Sequence, residues 1–197
     1  QRVIKQGDAV VVHQDVAVDD LYEALLPKGV AETERLTPTQ HTEYRSILGK
    51  LNWPTSRTQF HAAYSFSRLA SASASPTVKD MKELNKTVRQ VKNNPQRLYY
   101  WPLKKSDKLR LLGYPDAAYK NNSDASSQRG QCIFLAEPRT SSSDTRGSLI
   151  DFESHKIRRT VLSTTVAELN AFMKTYGTCQ FYRGLWADLT SFEAPIH

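Results

Sequence analysis

The chain has 197 residues, 39% of them hydrophobic and 24% charged, with 27 Lys and Arg against 20 Asp and Glu for a net charge of +7. That length suits one large domain or two small ones, and the apolar fraction is enough for a core. No run approaches the roughly 18 consecutive apolar residues of a transmembrane helix, and no signal-peptide pattern opens the chain, so no membrane partner is expected.

In chain order, the first element expected is a short hairpin or strand at Ala9 to His13, apolar and β-branched. A helix follows over Val18 to Leu26, ended by Pro27 and Gly29. Ala31 to Arg35 reads as a polar linker. Thr37-Pro38-Thr39-Gln40 is a helix start: Thr37 caps, Pro38 takes the first helical position, and Gln40 completes a capping box. Tyr44, Ile47, Leu48 and Leu51 then fall on one stripe, which Trp53-Pro54 stops. A second helix runs from about Phe60 to Ala70, before the small-residue run Ser71 to Ser75. The third starts at Thr77, with Asp80 three residues on and Met81, Leu84, Val88 and Val91 as its apolar stripe. Asn93-Asn94-Pro95 closes it.

Beyond this point the apolar period drops from about 3.6 to 2. Leu98 to Leu103, Leu109 to Ala117, Gln131 to Ala136 and Ser148 to Glu153 read as short strands, with a turn or loop at Ser141 to Gly147. A last helix begins near Ser163-Thr164-Thr165, with Val166, Leu169, Met173 and Tyr176 on its apolar side. A break is expected at Gly177, after which Tyr182, Leu185, Trp186 and Leu189 continue it. A three-stranded meander followed by a helix makes an α/β unit, preceded by a mainly helical region.

The charge is concentrated. Residues 79–129 carry 12 basic and 5 acidic side chains, and so hold the whole excess of +7. Lys79, Lys82, Lys86, Arg89 and Lys92 share the side of the third helix away from its apolar stripe. Lys104 and Lys105 follow, with Tyr99, Tyr100 and Trp101 interleaved. Cations that displace condensed counterions, beside rings that stack on bases, suit a nucleic-acid backbone. A solvated helix face is the plain alternative.

Cys132 and Cys179 are too few for a disulfide scaffold and lack metal spacing. They are expected as free, buried thiols in a reducing intracellular setting: cytoplasm, nucleus or an organelle. His13, His41, His61, His155 and His197 are scattered, so no zinc site is expected. The opening Gln1-Arg2 suggests a piece of a longer chain. Two carboxylates stand out. Asp116 ends the apolar strand Leu111-Leu112-Gly113-Tyr114-Pro115-Asp116, and Glu168 lies in the first turns of the last helix. A helix packed on the meander can bring them together as two oxygen ligands for Mg²⁺. Singly, each also has a local explanation, a turn for Asp116 and the helix dipole for Glu168.

Several segments resemble one family in the same order. Tyr44-Arg45-Ser46-Ile47-Leu48-Gly49-Lys50-Leu51 is similar to a Tyr-Arg-Ser-x-x-Gly-x-Leu motif. Ser67-Arg68-Leu69 followed by Ser75-Pro76-Thr77 resembles Ser-Arg-Leu and Asn-Pro-Thr. Gly113-Tyr114-Pro115-Asp116-Ala117 resembles Gly-Tyr-Ser-Asp-Ala, and Ser127-Gln128-Arg129-Gly130 the start of the strand that follows it. Leu162-Ser163-Thr164-Thr165-Val166-Ala167-Glu168 resembles Leu-Ser-Ser-Thr-Glu-Ala-Glu. The family is the reverse transcriptase–RNase H portion of copia-type retrotransposon polyproteins.

The resemblance implies an RNase H-like fold over residues 109–197, cut off before its last strands. It implies a reverse-transcriptase thumb or connection region over 1–108. It further implies cleavage of the RNA strand of RNA–DNA hybrids with two Mg²⁺ ions, Asp116 and Glu168 being catalytic and metal-binding. RNA, a hybrid or a larger ribonucleoprotein or polyprotein would be the partner. The chain departs from the family in four respects. Pro115 replaces a Ser, Ala118 stands where many relatives have a second Asp, and Arg57-Thr58-Gln59 replaces Arg-Pro-Asp. The third carboxylate, on the strand after the helix, has no counterpart, since Asp188 lies on the helix itself. The alternative is a domesticated, non-catalytic RNA-binding or assembly subunit that keeps the fold. A basic globular domain unrelated to retroelements is a third reading.

Overall fold

The computed structural model describes residues 1–26, 29–103, 109–122, 124–138, 147–191 and 194–197. It is a mixed α/β chain that divides into two compact units, residues 1–3 with 12–98 and residues 4–11 with 99–197. The sequence had set the boundary at 108/109. Strands β1 (Arg2–Gln6), β2 (Ala9–His13) and β3 (Leu98–Tyr100) form one three-stranded sheet in that order. Gly7, between β1 and β2, takes φ +58, a conformation that glycine adopts without steric cost.

The helices of the first unit are α1 (Asp15–Asp19), α2 (Pro38–Thr55), a 3-10 turn at Phe60–Ala62, α3 (Ala63–Ser71) and α4 (Val78–Asn93). Both expected capping boxes form. Thr37 accepts from the Gln40 N–H while Gln40 reaches back, and Thr77 does the same with Asp80. Tyr44, Ile47, Leu48 and Leu51 of α2 pack with Leu69 of α3 and with Met81, Leu84, Val88 and Val91 of α4 in one core. Each such fully buried side chain contributes about 1.5–3 kcal/mol. Tyr44 meets its polar requirement inside this core, its hydroxyl donating to the Leu69 carbonyl at 2.7 Å. Burial pushes its pKa well up.

Three local expectations are corrected. The helix expected over Val18 to Leu26 is only the five residues of α1, and 20–26 run as irregular chain. Leu21 and Ala24 are buried all the same. Asn85 of α4 accepts from the Ala24 N–H at 2.9 Å and donates to the Ala24 carbonyl at 2.8 Å, replacing the bonds that a helix would have made. Pro54 lies inside α2, whose end comes at Thr55. Pro54 has no N–H to give the carbonyl four residues before it, and the helix ends one residue later. Gly177 does not break the last helix.

The second unit contains β4 (Arg110–Ala118), β5 (Gln128–Ala136), β6 (Gly147–Lys156) and α5 (Thr164–Thr190). Its three strands form an antiparallel meander in the order β4-β5-β6. The expected loop at Ser141 to Gly147 falls largely outside the described residues. α5 runs unbroken for 27 residues. A single exposed glycine costs about 1 kcal/mol of helix propensity, which the packing along the rest of the helix outweighs. Leu111, Ile133, Leu135 and Cys179 form the main core here, with Tyr182 and Trp186 against it.

After α5, residues 195–197 return beside β4 in parallel. Leu111 N–H donates to the Pro195 carbonyl, His197 N–H to the Leu111 carbonyl and Gly113 N–H to the His197 carbonyl, all at 2.9–3.0 Å. A helical crossover is what two parallel strands require. The bonds also account for Pro115. Odd-numbered N–H groups of β4 face residues 195–197, so its missing donor interrupts no bond to β5. It lies one step past the last of the parallel bonds.

Candidate active-site region

The pleat of β4 assigns its faces. A Cβ on Gly113 would stand 2.8 Å from Thr175 Cγ2 and 3.1 Å from Cys179 Sγ, so the odd residues of β4 lie under α5. Ala117, also odd, packs with Tyr119 against Ile157, Val161 and Ala167. Even residues project from the other face, where Tyr114 meets Phe134 edge-on at 5.8 Å. Asp116 is even, hence exposed on the face opposite α5, opposite Gly130 in register. Glu168 is exposed beside Ala167 in the second turn of α5.

The two carboxylates are therefore not brought into one cleft: Asp116 projects from the face of β4 away from α5, whereas Glu168 projects from α5 itself. Only their chain neighbours, Ala117 and Ala167, belong to a common apolar cluster. Neither carboxylate has a hydrogen bond or ion pair among the described residues. No three His, Cys, Asp or Glu side chains gather as a metal site among the described residues. Unpaired carboxylates are the donor type that Mg²⁺ takes, but a two-ion clamp needs more oxygen atoms than this pair supplies. A pocket of about 200 Å³ opens near by, lined by Gly113, Pro115, Phe172, Thr175, Tyr176, Cys179, Ile196 and His197. It is mainly apolar and contains neither carboxylate.

The basic face of α4 is present, but most of it is engaged within the first unit. Lys82 pairs with Glu32 at 3.1 Å, and Arg89 grips Glu23 through two bonds of 2.5 and 3.2 Å. Lys92 donates to the carbonyls of Asp19 and Leu21 at 3.0 and 2.6 Å. Lys86 lies 3.8 Å from Glu83, which also takes Arg68. Lys79 has no side-chain partner among the described residues. Lys104 and Lys105 lie outside the described residues.

Sequence reasoning missed a polar group beneath α5. Asp151, Glu153 and His155 alternate on β6, in register with Ile133, Gln131 and Arg129 on β5. Gln131 is 4% exposed and donates Nε2 to Asp151 Oδ2 at 3.2 Å. Arg129 Nε and His155 Nε2 each stand 3.6 Å from a Glu153 oxygen. Burial, and then the neighbouring Glu153 charge, hold the Asp151 carboxyl above the usual aspartate range. The signal was the alternation Asp151, Glu153, His155, which reads equally as the wet side of a strand. Both cysteines are free, Cys179 buried and Cys132 half-buried. Burial pushes both thiols up.

Searches against family models, curated proteins and solved structures return no match for this chain.

Proposed function

We propose that residues 109–197 are the first part of an RNase H-like domain and residues 1–108 the end of a reverse-transcriptase thumb or connection region, in a copia-type retroelement polyprotein. The observation that carries this reading is the parallel return of residues 195–197 along β4. In the resembling family the strand that bears the third carboxylate follows the helix directly. Residues 195–197 follow α5 and lie beside the strand that carries Asp116. In such a site Asp116 and Glu168 would hold Mg²⁺, which supplies an activated water and stabilises the leaving oxygen. This chain would contribute Asp116 from the end of β4 and Glu168 from the first turns of α5, and Asp116 would have to turn toward α5 for the two to share an ion. The cations of α4 would meet phosphates without reading sequence. They can exchange their present partners at small cost, because exposed ion pairs contribute only about 0–1 kcal/mol.

The test is Mg²⁺-dependent binding and cleavage of an RNA–DNA hybrid by residues 1–197. Slow or no cleavage is expected, with Mg²⁺-dependent hybrid binding that Asp116→Asn and Glu168→Gln each weaken. Robust cleavage would refute the assignment, because two carboxylates do not clamp two ions. A second reading, a non-catalytic RNA-binding or assembly subunit, is favoured by the exposure of Asp116 on the face away from α5. It requires both substitutions to leave nucleic-acid binding unchanged.

A further inference from the structure

We propose that Asp151, Glu153 and Gln131 form a second cation site, which binds a hard divalent ion, Mg²⁺ or Ca²⁺, beneath α5 and separate from Asp116 and Glu168. The three residues lie on one face of adjacent strands. Glu153 is directly opposite Gln131 in register, and Asp151 is two residues along the same strand. Gln131 is almost wholly buried and its amide orientation is fixed, since Nε2 donates to Asp151 Oδ2. Turning the amide over would set oxygen against oxygen. Its Oε1 is thus left buried with no donor, as is Oε1 of Glu153.

A buried acceptor without a donor costs about 1–3 kcal/mol, and more when charged. Here two such oxygens stand beside a further carboxylate. The local cations do not relieve them. Arg129 Nε is 3.6 Å from Glu153 Oε1, beyond hydrogen-bond length, and is itself without a hydrogen-bond partner. Lys174 acts on Asp151 only through its charge. His155 lies 3.6 Å from the other Glu153 oxygen and is well exposed. Two carboxylates and an amide carbonyl are an all-oxygen set, which Mg²⁺ completes with waters and Ca²⁺ with waters or further carbonyls. β6 is the outer strand of the meander, and the Glu153 side chain is 20% exposed, so an ion can reach the site from that edge. Bound there, it would tie β5 to β6 and neutralise the two like charges that now share the face.

The test is titration of the whole chain with Mn²⁺, following the free ion by electron paramagnetic resonance, with Mg²⁺ and Ca²⁺ as competitors. Displacement by either competitor fits the oxygen set. Asp151→Asn and Glu153→Gln should each weaken binding about tenfold or more, while the Asp116→Asn/Glu168→Gln double variant retains this site. Arg129→Met should tighten it, because a competing cation has been removed. In the unsubstituted chain, bound Mn²⁺ should broaden the amide signals of Gln131 and Asp151 to Glu153 before those of Asp116 or Glu168. This readout needs no variant to fold. Absence of Mn²⁺ binding, broadening centred on Asp116 and Glu168, or weaker binding in Arg129→Met would overturn the proposal.

Discussion

Gly113→Ala tests how closely α5 lies on β4. The added methyl would stand 2.8 Å from Thr175 Cγ2, whereas carbon atoms attract best at about 3.5–4.0 Å. The shortfall is therefore about 1 Å, with a second tight contact at 3.1 Å to Cys179 Sγ. Thr175 and Cys179 are 4% and 1% exposed, so neither side chain has open space to enter. Thr175 is also β-branched and stiff at χ1 in a helix, so α5 itself must shift. Overpacking of this kind costs about 1–3 kcal/mol, and the lost flexibility of the unfolded glycine returns about 0.4–1 kcal/mol. The net expectation is a loss of about 1–2 kcal/mol from the second unit. Adding Thr175→Ser removes Cγ2 and should recover most of it, a coupling of about 1 kcal/mol in a double-mutant cycle. Because the chain forms two units, a single unfolding curve need not be two-state. Hydrogen exchange of the β4 and β5 amides is the appropriate assay. If Gly113→Ala leaves their protection unchanged or raises it, or if the two substitutions are simply additive, the assigned faces of β4 are wrong.

Asn85→Ala should destabilise the first unit by about 1–3 kcal/mol, read by urea denaturation, since it strands the N–H and carbonyl of the half-buried Ala24 segment. Asp151→Asn, in chelator, should raise the melting temperature at neutral pH. A carboxyl whose folded-state pKa is raised contributes stability below the ordinary aspartate range that is lost as pH rises through the folded value. The gain should accordingly shrink as pH falls into and below that ordinary range, and a gain that grows on acidification would contradict the environment assigned to Asp151. Replacing Lys79, Lys82, Lys86 and Lys92 with Ala should lower the slope of log affinity against log salt for nucleic acid by about 1 to 3, the upper figure meaning that nearly every lysine meets a phosphate. An unchanged slope would show that this face serves only the first unit's own acids.

What could be read from the sequence was what is decided within a few residues. The capping boxes at Thr37 and Thr77 each close over three residues, and the stripes of α2 and α4 repeat within one helix, so both survived as expected. The strands of the meander were legible by alternation, but the role of each alternate residue was not. Whether Asp116 or Pro115 faces α5 follows from register, and register from the packing of Gly113 on a helix more than 50 residues later. Asp151 and Glu153 looked like the wet side of a strand until Gln131 of β5 was seen to lie buried beside them.

The basic segment shows the same limit in electrostatic terms. An excess of +7 over residues 79–129 is a sum along the chain, whereas a phosphate responds to the field in space. The partners of Lys82, Arg89 and Lys92 lie 50, 66 and 71–73 residues upstream, in a stretch whose own charge looked unrelated. The irregular course of residues 20–26 follows from the same docking. Asn85 bonds the main chain at Ala24, and the cations one and two turns further along α4, Arg89 and Lys92, hold Glu23 and the carbonyls of Asp19 and Leu21. Along α4, then, one set of side chains organises the fold and dims the field that composition had suggested. Any nucleic acid gripping this face must first compete with acids of the same unit, which is why the salt slope, rather than affinity alone, separates the two roles.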